Sequence, residues 1–153
     1  SGLALFFSGY GYEGAPASQQ VLVQARRESI TAPWESGIAL NQTINGEGSK
    51  LSPKVSFDGL TLVYGANDRG TMGATDLWSS RRNTLNDSFV ASSNFRGPVS
   101  STADERDSAL SSDNRVIVFA SDRDKRGTRL WMAVRISVAD AWSDPVELPA
   151  PVK

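Results

Sequence analysis

The sequence predicts an all-β fold built from three tandem units of about 50 residues. Three observations lead there. The 153-residue chain repeats itself in fixed columns, and each copy holds short runs of branched and aromatic residues parted by Gly- and Asp-rich loops. No segment sustains the roughly 3.6-residue apolar period of a helix.

The copies are "GLALFFSGYG…VLVQARRESITAPWESGIAL", "GLTLVYGAND…DLWSSRRNTLNDSFVASSNF" and "NRVIVFASDR…RLWMAVRISVADAWSDPVEL". Leu22, Leu77 and Leu130 share one column, 55 and 53 residues apart. Arg27, Arg82 and Arg135 follow five residues later in each copy. Trp34, Phe89 and Trp142 form a further column, and Leu40, Phe95 and Leu148 close the unit. The approximate unit bounds are 1–48, 49–103 and 104–153, within a single domain.

Each unit yields its strands in order. A first run appears at Leu3–Phe7, Leu60–Tyr64 and Val116–Phe119, and in "LTLVY" and "VIVF" both faces are apolar, so both are expected to be buried. A second run follows at Val21–Ala25, Leu77–Ser80 and Leu130–Val134. A third lies near Gly37–Leu40, Phe89–Phe95 and Pro145–Leu148. A further strand precedes the first run at Ser52–Gly59 and Asp107–Asn114, where Asp58 and Asp113 head the turn. About eleven strands result, one short of three complete four-stranded units. The stretch between the first run and the Leu column shortens by two residues from copy to copy, which predicts a hairpin losing one residue per strand and keeping its faces.

That register also decides the meaning of "GYGYEG", Gly9 to Gly14, whose G-x-G-x-x-G spacing resembles a dinucleotide-binding turn. Such a turn must open a helix, because helix N-terminal amides grip the phosphates. Here "APASQQVLVQA" follows, with Pro16 and a β-like run. The segment occupies the place of "ANDRG" and "SDRDKRG" and is expected to be a hairpin tip.

Bulk composition narrows the chemistry. Sixteen Lys+Arg against 17 Asp+Glu leave a net charge of −1, so no overall field draws nucleic acid. Without Cys or His, the chain holds no disulfide, no thiolate or imidazole metal site and no nucleophile relay built on those residues. Its longest apolar stretch is about five residues, far short of the ~20 of a membrane-spanning helix. No cofactor and no metal is expected. "DRDKRG" begins like a calcium loop but carries three cations and lacks the terminal Glu.

Four short antiparallel strands per unit, buried on both faces, is the pattern of β-propeller blades. "SFDGLTLVYGANDRGTMGATDLWSSRR" and "SSDNRVIVFASDRDKRGTRLWMAVR" resemble the TolB-type, WD40-like propeller repeat, with its S-x-D-G turn, apolar strand, S-D-R-x-G loop and D-[LI]-[WY] strand. "DAWSDPVELPAPV" is similar to that unit's closing strand, whereas copy one departs at the loop. The resemblance implies a bacterial periplasmic or exported protein. It implies a docking platform, gate or occasional enzyme without choosing among them.

About three blades do not close a ring, since propellers have roughly 4 to 8. One blade face covers on the order of 350 Å². Two exposed faces would withhold roughly 18 kcal/mol of burial, against a typical net stability of about 5–15 kcal/mol. Two completions stay open: two copies forming a six-bladed ring, or a segment of a longer propeller.

Candidate ligand-binding residues are Asp68, Arg69, Asp122 and Arg123 at hairpin tips, and Trp78 and Trp131 in one column with Val23. The tips could equally be a turn-stabilising Asp beside a solvated Arg, and the tryptophans blade-to-blade packing. Asn41-Gln42-Thr43 and Asn86-Asp87-Ser88 fit the N-glycosylation pattern. The expected function is a non-enzymatic module that recognises a protein or carbohydrate through blade-connecting loops. Its rivals are a purely architectural segment and a glycan-cleaving enzyme using paired carboxylates from Asp76, Asp104, Glu105 and Asp107.

Overall fold

The computed structural model of the chain describes residues 2–67 and 70–149. Three antiparallel sheets follow one another along the chain. The first holds β1 (Ala4–Gly9), β2 (Val21–Arg26) and β3 (Ile38–Ala39) in the order β1-β2-β3. After a one-turn helix α1 (Gln42–Asn45), the second holds β4 (Lys50–Val55), β5 (Thr61–Ala66), β6 (Asp76–Arg81) and β7 (Ser93–Asn94). The third holds β8 (Glu105–Leu110), β9 (Val116–Ser121), β10 (Arg129–Val134) and β11 (Val146–Glu147). These are the eleven strands expected, and the shortfall lies in the first sheet.

The repeated columns are the stacking surfaces. Leu22 and Phe6 leave the first sheet to pack with Leu62, Tyr64 and Trp78 of the second. Leu77 leaves the second to pack with Ile117, Phe119 and Trp131 of the third. β5 is buried at all six positions because it meets a neighbour on each face, as its doubly apolar sequence requires. Leu22, Leu62, Leu77, Ile117 and Phe119 are 0 % exposed, and each such side chain contributes roughly 1.5–3 kcal/mol.

The Arg column is a second repeated device. Arg27, Arg82 and Arg135 donate Nε to the carbonyls of Gly2, Gly59 and Asn114 at 2.8–2.9 Å. Each guanidinium also lies over its partner ring, Trp34, Phe89 or Trp142, 4.3–4.6 Å from the centroid. A planar fork does both at once, which a Lys ammonium cannot. The outer strand is tied in by the amides of Leu40, Phe95 and Leu148, which donate to Leu22, Leu77 and Leu130.

Four expectations need adjustment. The hairpins do not lose strand residues: β1, β2, β5, β6, β9 and β10 all have six, so the difference in length falls between the paired strands. The inner strands begin two residues before the expected windows and carry a bulge at Ser52 (φ 48°) and Asp107 (φ 51°). An extra left-handed residue destroys the alternation that reveals a strand. The third run of copy two shrinks from Phe89–Phe95 to β7, because Phe89 turns inward beneath Arg82. Helix α1, one turn capped by the Asn41 side chain on the Ile44 amide, is too short to show a period.

The S-x-D-G turns behave as predicted. Asp58 accepts from Ser56 Oγ and the Leu60 amide, with Gly59 at φ 76°. Asp113 accepts from Ser111 Oγ and the Arg115 amide, with Asn114 at φ 58°. The Ser111 hydroxyl first, then Arg115, push the exposed Asp113 carboxyl down to about 2. A folded-state value below the unfolded one of about 3.9 makes this turn's contribution complete above that pH and lost as pH falls toward about 2. An NMR titration of the Asp113 carboxyl should find its midpoint near 2, and an ordinary midpoint near 4 would refute the turn geometry.

Candidate functional site

Stacking one blade on the next leaves grooves at the joints, and two of them are built from matched positions. The first, of about 380 Å³, is lined by Arg26, Leu40, Arg82, Asn86, Asp87 and Phe89 among others. The second, of about 360 Å³, presents Arg81, Phe95, Arg135, Ala139, Asp140 and Trp142 in the same places. The Arg-Arg doublets of the sequence explain this: the second Arg of each clamps its own blade, while the first reaches into the groove toward the next blade's clamp.

Two like charges therefore face each other at each joint. Burial first, then the charge of Arg26, lowers Arg82 from its ordinary value, and Asp87 opposes the shift. Burial and then Arg81 lower Arg135, opposed by Asp140. Asp87 and Asp140 are themselves fixed by accepting the Thr84 and Ser137 amides. The grooves so combine paired guanidiniums, a fixed carboxylate and an aromatic wall, a set that suits polar or anionic groups.

The residues singled out from sequence fall elsewhere. Trp78 and Trp131 are half-buried and pack on the two inter-blade clusters. Trp131 Nε1 donates to the Ser121 carbonyl at 3.2 Å. In the first blade Val23 takes the tryptophan's place, and the Tyr12 ring from the hairpin tip stands edge-on to Phe7 at 6.4 Å. Gly37 lies beneath that ring: a Cβ there would meet Val23 at 2.7 Å and the Tyr12 hydroxyl at 3.3 Å. "GYGYEG" is thus a hairpin tip whose second tyrosine covers the outer face of its own blade, and no helix follows it before Val21.

Asp122 accepts the Asp104 amide at 3.0 Å, as Asn67 accepts the Ser49 amide at 2.7 Å. Strand register therefore pairs position 122 with 67, one residue from the pairing of the two Asp-Arg tips; Asp68 and Arg69 lie outside the described residues. The Arg123 side chain is 14 % exposed and binds the carbonyls of Pro98 and Val99 at 2.9 and 2.5 Å and fully buried Glu105 at 3.2 Å. It also lies 4.9 Å from the Phe119 ring centroid. Burial lowers its pKa, and Glu105 opposes that. Arg123 thereby ties the blade-two-to-three linker to the third blade.

Of the four candidate carboxylates, Asp76 is 0 % exposed and accepts from the Met72 amide and Asn94. Glu105 accepts the Ser101 amide and hydroxyl, Ser121 and Arg123. Asp104 accepts the Thr75 amide. Asp107, the bulge residue of β8, accepts from Ser52 Oγ of the preceding blade's bulge at 2.6 Å. Sequence reasoning did not single out Arg26 or Arg81; the doublets "ARR" and "SRR" were the available signal.

No model of a known family matches the chain, and no curated protein matches it. Among solved structures it is similar to the β-propeller domain of the Trilobed protease from Pyrococcus furiosus, reported to have an open velcro topology. The likeness covers 98 % of this chain at 11 % identity with a TM-score of 0.50, and the chain spans 41 % of that one's length. It shows the fold: three antiparallel sheets of three or four strands, stacked as the blades of a β-propeller.

Proposed function

We propose that the chain is a non-enzymatic propeller module that binds a protein or carbohydrate partner in the paired grooves between its blades. The supporting observation is the repetition itself: Arg26 with Arg82 and Arg81 with Arg135 recur at matched positions, each pair beside a fixed carboxylate. Arg26 and Arg82 converge on the Leu85 carbonyl at 3.4 and 3.1 Å, and an anionic group in the groove would relieve the repulsion between such paired charges. Grooves one blade apart suit a partner with repeated acidic groups, where a second contact adds avidity. The S-x-D-G turns support placing the chain with TolB-type propellers, and with that resemblance an exported bacterial location.

A glycan array followed by calorimetry on the best acidic oligosaccharide tests the reading. Arg81→Ala and Arg26→Ala, both at exposed positions, should each weaken binding by about tenfold, or about 1.4 kcal/mol, without release of sugar. Binding indifferent to both substitutions, or accumulation of cleaved product, would overturn it.

A further inference from the structure

The two matched grooves differ in charge. At the first joint Arg26 and Arg82 are balanced by Glu35 and Asp87. At the second, Arg81, Arg96 and Arg135 line the groove with Asp140 as the one carboxylate among them. The changes fall at equivalent positions. Glu35 and Val90 both donate their amides to the carbonyl of the first arginine of the doublet, so Val90 stands where blade one has the acid. Arg96 directly follows Phe95, as Asn41 directly follows Leu40.

The arginines of the second groove are also less committed. Arg26 reaches the Leu85 carbonyl at 3.4 Å. Arg81 and Arg96 are exposed, and neither guanidinium makes a hydrogen bond or ion pair among the described residues. Arg135 spends Nε on the Asn114 carbonyl and Nη1 on the Val138 carbonyl, which leaves its Nη2 uncommitted among those residues.

Arg96 is held in place against its backbone preference. Its φ of 43° lies in the left-handed region, whereas Asn41 in the same place has a φ of −60°. Asn94 is the brace. Its side-chain amide donates to the fully buried Asp76 carboxylate at 2.6 Å, and its side-chain oxygen accepts the Arg96 amide at 2.7 Å. Blade one has Ala39 at the position of Asn94, so the first joint lacks this device. Strain of that kind persists only where the surroundings over-determine it, and it gathers at ligand sites.

We infer, on the reading that these grooves are partner sites, that the groove between blades two and three binds a phosphate monoester through Arg81, Arg96 and Arg135. Three guanidiniums against one carboxylate leave an excess of positive charge that matches a phosphoryl group above its second pKa of about 6. One planar fork satisfies a carboxylate, whereas a phosphoryl group has three oxygens to satisfy. Here the donors come from three elements: the end of β6, the turn after β7 and the turn after β10. Ser79 and Ser93 line the same groove and add hydroxyl donors.

NMR titration of the isotope-labelled chain with O-phosphoserine and with glucose phosphate, at a pH of about 7.5, tests the inference. The backbone amides of Ser93, Arg96 and Ala139 should shift saturably, and those of Asn41 and Asn86 in the first groove should not. Acetate at equal ionic strength should bind at least about tenfold more weakly. The tighter of the two esters tells whether the carrier is peptide or sugar, and either supports the inference. Arg81→Ala and Arg96→Gly should each weaken binding by about tenfold. Glycine suits the φ of 43°, so Arg96→Gly removes the guanidinium and keeps the turn. Esters that bind no better than acetate, that shift both grooves alike, or that bind Arg96→Gly undiminished would overturn the inference. An acidic oligosaccharide that still binds in that event leaves the grooves as partner sites, and one that also fails to bind removes both.

Discussion

Leu77→Ala should lower the unfolding free energy by about 3–5 kcal/mol, while Leu130→Ala should cost about 1 kcal/mol or less. The residue type, the strand and the repeat column are the same; only the neighbour differs. Leu77 is 0 % exposed between blades two and three, so its removal leaves a cavity that the facing Ile117 and Phe119 cannot fill. Leu130 is 43 % exposed on the far face of blade three. Urea denaturation at low protein concentration reads both values. Equal costs would mean that the column does not report blade stacking.

Arg123→Ala should destabilise the chain by about 3–5 kcal/mol, because it strands a fully buried carboxylate. Glu105 would keep its bonds to Ser101 and Ser121 and lose Arg123, the one cation among its hydrogen-bond partners in the described residues. Removing the charge from both sides, with Arg123→Met and Glu105→Gln together, should recover part of that loss, since no uncompensated ion is left. Equilibrium unfolding of the two single variants and the double variant completes the cycle. A cost below about 1 kcal/mol for Arg123→Ala would show an exposed pair of the kind that adds little.

How much of this was legible in the sequence follows from what each feature has to satisfy. The Leu, Arg and aromatic columns were readable because every blade must present the same shapes to its neighbours. Leu22 and Leu77 meet nearly the same surface, and Arg27, Arg82 and Arg135 bridge the same carbonyl and ring. The bulges at Ser52 and Asp107 were hidden because non-glycine residues in the left-handed region leave no compositional mark. The burial of Arg123 depends on the Pro98–Val99 linker folding back over the hairpin, a contact of 24 to 25 residues' separation that no local pattern encodes. Tyr12 standing in for a tryptophan of another strand is hidden for the same reason: the aromatic is supplied by a loop, not by the column. The groove arginines were visible as doublets, but a doublet does not say which residue faces its own blade and which the next.

The stack itself is tested most directly by methyl-to-aromatic NOEs in the folded chain. The account predicts cross-peaks from Leu22 to Tyr64 or Leu62 across the first joint, and from Leu77 to Phe119 or Ile117 across the second, between residues some 40 positions apart in sequence. A folded chain with neither set of cross-peaks would contradict the propeller arrangement.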